Sequence, residues 1–216
     1  MVEWQSFVGT CLNGFMKKTK EVKGGMKIYF TADCHFDHAN IIIYAKRPFL
    51  KKGDLIDERY WTSEDIKEER CQLMNEELVK QWNTKVSEED TVYHLGDFSF
   101  KGVENAQKWE EKLNGKIIHI QGNHDRNSGV KSYLVKGILV FSNKVVLAQH
   151  HPPRDSNEIP KECDFVICGH VHDKWKHKII GNIPVINVGV DVWNYAPVTV
   201  TELLKYYWKV KNNVIK

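Results

Sequence analysis

Five times along this chain a short apolar run stops abruptly at a cluster of Asp, His or Asn. The stretch 117–120 is followed by Gly122-Asn123-His124-Asp125, and 91–95 by Gly96-Asp97. The run from Met26 through Phe30 ends in Asp33-Cys34-His35, 144–149 in His150-His151, and 164–168 in Gly169-His170-Val171-His172. Apolar, β-branched runs of this length predict buried strands. Glycine at the break lets the backbone turn sharply. In open α/β sheets the carboxyl ends of the strands are where ligands bind. One such ending is only a polar turn; five of them define the rim of a site.

The rest of the sequence supplies helices and turns around those strands. The pattern predicts a helix from 36 to 45, stopped by Arg47-Pro48. A long helix capped by Thr62 or Ser63 runs to about Thr84. Ile66, Leu73, Met74, Leu78 and Trp82 form its inward stripe. Two further helices are expected over 103–113, with Ala106, Trp109 and Leu113 inward, and over 201–208. Residues 138–141 and 144–149 read as a hairpin about Ser142-Asn143, 53–61 as loop, and 184–190 as a late strand.

A chain of 216 residues with 42% hydrophobic content fits one domain with a real core. Its expected boundaries are an N-terminal extension over 1–25 and the domain over 26–216. A net charge of +3 does not by itself argue for nucleic-acid binding. The five cysteines are odd in number and contain no CxxC pair, which points to a reduced, cytoplasmic setting. No apolar run reaches membrane-spanning length, and the first residues lack a secretory pattern, so no membrane partner is expected.

Ten histidines are the compositional oddity, and six of them fall at the strand ends. Alternation along a strand puts Asp33 and His35 on one face with Cys34 opposite. The same rule turns His150 and His151 to opposite faces, so one of the two is a ligand; the strand before them does not fix which. Asp33, His35, Asp97, Asn123, His150 or His151, His170 and His172 offer carboxylate, imidazole and amide oxygen, a set suited to divalent first-row metals. They are too many for one four-coordinate ion. They suit two ions sharing a carboxylate, ~3.5–4 Å apart, an arrangement that activates water against phosphate esters.

The series DxH, GD, GNHD, H and GHxH, in that order, resembles the calcineurin-like metallophosphoesterases over about 26–209. The stretches FTADCHFDHANII, YHLGDFSF and INVGVDVWNY are similar to the small, cap-free bacterial and phage members. The resemblance implies an α+β fold, a four-layer α/β/β/α sandwich of two packed β-sheets flanked by helices. It implies that Asp33, His35 and His172 hold one metal, that Asn123, His150 and His170 hold the other, and that Asp97 bridges. It also selects His150 as the ligand of its doublet, leaving His151 variable, and casts His124 as proton donor to the leaving group.

The implied activity is hydrolysis of a phosphodiester, in preference to a phosphomonoester, by a metal-bound hydroxide. Manganese is the favoured metal, with Fe, Ni, Co or Zn as alternatives. Two divalent ions against two aspartates and a hydroxide leave about +1, which attracts a phosphate anion. The expected partner is a phosphate-ester substrate, a nucleotide or nucleic acid among them. A histidine titrates near neutrality and suits proton donation to an alkoxide. Asp125 is either the orienter of His124 or an exposed turn carboxylate.

Substrate contacts are expected from His38, Asn40 and Arg154, with helix capping the other reading for the first two. Arg126 and Arg154 read as phosphate clamps or solvated loop charges. His94 reads either as a group standing behind the metal ligands or as a satisfied core histidine, His119 as structural and His177 as a surface residue. The alternative function is a non-catalytic interaction scaffold, since the same fold occurs in a retromer subunit. Intact ligands and His124 argue against it. A calcineurin-type protein phosphatase is disfavoured because Phe98-Ser99-Phe100, not a DRG-like segment, follows Asp97. A capped repair nuclease needs more chain than this.

Overall fold

The computed structural model describes residues 25–125, 130, 132 and 134–215. The expectations for residues 1–24 and for Arg126 lie outside the described residues. In chain order the elements are β1 (Ile28–Thr31), α1 (Asn40–Tyr44), β2 (Leu55–Ile56), β3 (Tyr60–Trp61), α2 (Glu64–Lys85), β4 (Thr91–His94), α3 (Val103–Glu110) and β5 (Lys116–His119). The second half gives β6 (Lys136–Phe141), β7 (Lys144–Gln149), β8 (Phe165–Cys168), β9 (His177–Ile180), β10 (Ile183–Asn187), β11 (Val198–Thr199) and α4 (Val200–Lys211).

The strands form two principal sheets. One has the order β11-β1-β4-β5, with β1, β4 and β5 parallel. The other has the order β6-β7-β8-β10-β9, with β7, β8 and β10 parallel. Period-two alternation sorts their side chains into three apolar layers. Tyr29 and Val92 pack with Met74, Leu78, Trp82 and Trp109 beneath α2 and α3. Phe30, Tyr93, Val146, Phe165, Ile167 and Ile186 meet between the sheets, joined by Leu203 and Tyr207 of α4. Leu147, Val166 and Val185 cover the far face with Ile159 and Cys163. Each large side chain buried this way contributes ~1.5–3 kcal/mol. The architecture is the expected mixed α+β arrangement of packed sheets and helices.

Local chemistry explains the helix ends. Ser63 Oγ accepts from Ile66 N, and Glu64 and Asp65 sit in the first turn of α2. Thr199 and Glu202 form a reciprocal capping box at the start of α4. Three details differ from the pattern reading. Leu73 is 41% exposed, because the buried face of α2 runs through Cys71, Met74, Leu78 and Trp82 and Leu73 lies a quarter-turn off it. The first helix is only Asn40–Tyr44, because Asp37 adopts φ +60° and breaks a helical run there; Ala39, at φ −52° and ψ −39°, is the first residue to enter helical geometry. The late strand ends at Asn187, and the 53–61 loop contains the small hairpin β2–β3.

Beyond β1 and β4 the ladder continues irregularly through the connecting loops. Asp33 N donates to Gly96 O, His35 N to Asp97 O and Phe36 N to Phe98 O, at 2.9–3.0 Å. A bridge between Ala32 and Gly189 ties the two sheets together at the same level. Five parallel strand ends, three from one sheet and two from the other, therefore open onto one place.

Candidate metal centre

Asp33 and His35 follow β1, Asp97 follows β4, Asn123 and His124 follow β5, His150 follows β7, and His170 and His172 follow β8. All lie past the ends of their strands, so strand alternation does not explain why Asp33 and His35 converge. Left-handed backbone does. Asp33 (φ 60°), His35 (52°), Asp97 (58°), His170 (71°) and His172 (48°) all adopt it. Non-glycine residues rarely do, and such conformations persist where surrounding structure holds them. Here the Asp33–Phe98 backbone ladder holds the first three, His170 N donates to the Asp33 carboxylate, and Asn187 Nδ2 donates to His172 O. Gly122 permits the tightest approach, since a Cβ there would collide with Asp97 Oδ1 and Asp97 N. A Cβ at Gly169 would meet Asp33 Oδ2 at 2.7 Å.

Asp33, His35, Asp97 and His150 are almost completely buried, whereas Asn123, His124 and His170 face solvent. Ligand atoms of Asp33, His35 and His172 lie within 4.8 Å of one another. Asn123 Oδ1 lies 2.9 Å from His150 Nε2 and 3.0 Å from His170 Nδ1. Asp97 Oδ2 stands between the two groups, 3.5 Å from His35 Nε2 and 3.4 Å from His150 Nε2. The ring of His150 is fixed by its Nδ1 on Leu95 O at 2.7 Å, which turns Nε2 inward.

The electrostatics of this set call for positive charge. Burial pushes the Asp33 carboxyl up to about 6, although His150 and His172 pull it down. Burial also opposes the His150 cation, yet Asp97 and Asp33 draw its pKa up to about 9. Asp97 stays below the ordinary carboxylate range despite its burial, held there by His150. Burial pushes His35 well below the ordinary histidine range and His170 down to about 4, so both present lone pairs. Among the described residues the buried His35 Nε2 has no hydrogen-bond partner. An orphaned imidazole nitrogen facing carboxylates and an amide oxygen fits a divalent cation.

Sequence reasoning missed the groups behind these ligands. Asp191 Oδ2 lies 2.8 Å from His172 Nδ1, leaving Nε2 as the free ring nitrogen. Arg47 Nε donates to Asp191 Oδ1 at 2.8 Å. Its terminal nitrogens donate to the carbonyls of Asp33 at 2.7 Å and Cys34 at 3.0 Å. One buried guanidinium thus holds the first ligand loop and the carboxylate that orients His172. Asp37 accepts from Asn75 Nδ2 and Trp109 Nε1, both at 2.7 Å, and anchors the same loop to α2 and α3.

Several site expectations are corrected. Asp125 is not an exposed turn carboxylate. It is buried and accepts from the backbone nitrogens of Asp97 (2.9 Å), Phe98 (3.1 Å) and Gly122 (2.7 Å). Asn40 begins α1 without capping it, and its Oδ1 accepts from Trp61 Nε1 at 2.9 Å. Arg154 is 90% exposed and pairs with Glu158 rather than with the cluster. His38 does sit beside the cluster, its ring stacked on Phe100 at 3.9 Å. His94 is wholly buried, and neither ring nitrogen has a hydrogen-bond partner among the described residues, so it is not the satisfied core histidine. His119 pairs with Glu110 at 2.8 Å. His177 is half-buried in β9, 2.9 Å from Tyr206 Oη, rather than on the surface. The rings of His150 and His151 are 4.9 Å apart and both lie beside His170, so the doublet does not straddle opposite faces.

The family model of the calcineurin-like phosphoesterase superfamily domain matches residues 74–200, more than half of the chain. The chain belongs to the calcineurin-like phosphoesterase superfamily. An uncharacterized protein of the archaeon Methanocaldococcus jannaschii is 34% identical over 191 residues, covering 86% of this superfamily member and 93% of the relative. Among solved structures, a protein of unknown function from Aquifex aeolicus shares the fold, with TM-score 0.58, 24% identity, and coverage of 84% of this chain and all of that one. A structure described as a novel archaeal phosphodiesterase aligns with TM-score 0.39 and 22% identity, over 76% of this chain and 84% of that one. Among the described residues, no helix of this superfamily member is long and apolar enough to cross a membrane.

Proposed function

We propose that this chain is a dinuclear-metal-dependent phosphoesterase that hydrolyses a phosphodiester in preference to a phosphomonoester. The observation that carries the reading is Asp97 Oδ2, placed 3.5 Å from His35 Nε2 and 3.4 Å from His150 Nε2, facing two donor sets at once. Asp33, His35 and His172 hold one divalent cation, Asn123, His150 and His170 hold the other, and Asp97 is shared. When bound, the cations supply Lewis acidity toward the phosphoryl oxygens and acidify a water to a nucleophile at neutral pH.

The remaining work falls to the chain. His124 is half-exposed, with Nε2 4.0 Å from Asp97 Oδ2. Its backbone nitrogen donates to Asp97 Oδ1 at 2.9 Å, so its place is fixed from the same carboxylate. From there its ring donates a proton to the departing alkoxide oxygen. The buried inner wall of Asp33, His35, Asp97 and His150 keeps bulk water from the far side. The exposed Asn123, His124 and His170 mark the side from which a phosphate ester enters. His38, stacked on Phe100 next to His124, faces that entry.

The deciding experiment is a metal-by-substrate screen. It pairs Mn, Fe, Ni, Co, Zn and Mg with a phosphodiester, a phosphomonoester, cyclic nucleotides and short nucleic acids. Hydrolysis is expected with manganese on at least one diester. Uptake of two ions without turnover of any ester would leave the non-catalytic scaffold as the function. Uptake of none would end the metal reading as well.

A further inference from the structure

The doublet His150-His151 was expected to present one ligand and one bystander. Three observations speak against a bystander. A ring nitrogen of His151 lies within 4.8 Å of ligand atoms of both His150 and His170, each of the three residues offering one atom. Its ring stands 4.2 Å from that of His170 and 4.9 Å from that of His150. No hydrogen bond engages the His151 ring among the described residues; only its backbone carbonyl is used, accepting from Gln149 Nε2 at 2.7 Å.

We infer that His151 is a further nitrogen ligand of the second metal, alongside Asn123, His150 and His170. The inference rests on the two-metal reading given above. Zinc-like ions bind imidazole nitrogen at ~2.0–2.1 Å, so neighbouring nitrogens on one ion are roughly 3–3.4 Å apart. From the 4.8 Å that bounds their separations, the nitrogens need to close by up to roughly 1.5 Å, which the exposed His151 side chain can supply by rotating about its χ angles. The backbone gives the cause. Both residues follow the last residue of β7, Gln149, so strand alternation no longer separates their side chains.

The chemical consequence is asymmetry. The first metal faces Asp33, His35 and His172, and shares Asp97. The second faces three imidazoles and one amide oxygen, and shares Asp97. Imidazole-rich sets select Zn, Ni, Co and Fe over Mn, whereas carboxylate-richer sets tolerate Mn. The second position therefore takes a borderline-soft first-row cation by preference, and the protein loads as a mixed pair when both kinds are offered.

Cobalt(II) is a suitable probe, because its visible absorption reports ligand number and type. Wild-type protein, His151→Ala and His151→Gln are titrated with cobalt, following absorption and stoichiometry. The wild type should bind two ions. In His151→Ala one of the two binding steps should lose at least ~10–100-fold in affinity, with a changed spectrum for that ion only. Equal cobalt affinity and an unchanged spectrum in both variants, with only inhibition by inorganic phosphate altered, would make His151 a phosphate contact and overturn the proposal. No cobalt binding by the wild type would instead overturn the two-metal reading.

Discussion

At the scale of single residues, His124 is the group whose role separates most cleanly from metal binding. Its side chain is half-exposed and its closest approach to the cluster's carboxylates is 4.0 Å, to Asp97 Oδ2. His124→Ala should keep its metals and lose ~10²–10⁴-fold in turnover of an ester with a poor leaving group. The loss should shrink for nitrophenolate, which departs without protonation. Steady-state rates on the two esters check this, and an equal loss on both would give His124 a positioning role. The residues of the cluster were legible in the sequence because Asp, His and Asn ended five apolar runs. The reason they converge was not, because it lies in positive φ at Asp33, His35, Asp97, His170 and His172, which no side-chain pattern encodes. Arg47 and Asp191 were also hidden. They are 144 positions apart, and each looks like an ordinary loop charge until the fold pairs them.

At the scale of elements, strands and long helices were readable from periodicity, while their ends depended on contacts. The ladder from Asp33 to Phe98 and the Asp125 carboxylate on three backbone nitrogens are tertiary, so the short α1 and the buried turn could not be anticipated. The β7–β8 pair offers a test of one such contact. Asp164 accepts from Lys144 Nζ at 2.7 Å and from Val145 N at 2.9 Å, where β7 begins. Burial opposes its charge, but Lys144 and Val145 hold its carboxyl below the ordinary range. A depressed folded pKa favours the ionised form, so the contribution is present at neutral pH and fades as pH falls through the carboxylate range. Asp164→Asn should cost about 1 kcal/mol at pH 7, with the gap to wild type closing below ~pH 4. Urea unfolding at the two pH values measures it; a gap that persists in acid would assign the effect to packing.

At the scale of the whole molecule, the pairing of two sheets followed from the family resemblance more than from periodicity, which names strands but not their neighbours. The structure adds where the chain divides its labour. Asp33, His35, Asp97, Asn123 and His124 precede β6, and His150, His151, His170 and His172 follow it. Neither half owns a complete ligand set, and the Ala32–Gly189 bridge joins the halves directly beneath the cluster. Cleaved between β5 and β6, the chain becomes a pair of fragments whose complementation is a metal sensor. Two co-expressed fragments should co-purify in the presence of manganese or cobalt and separate when a chelator is added. Association of equal strength with and without chelator would show that the sheets alone, and not the shared cations, rivet the halves together.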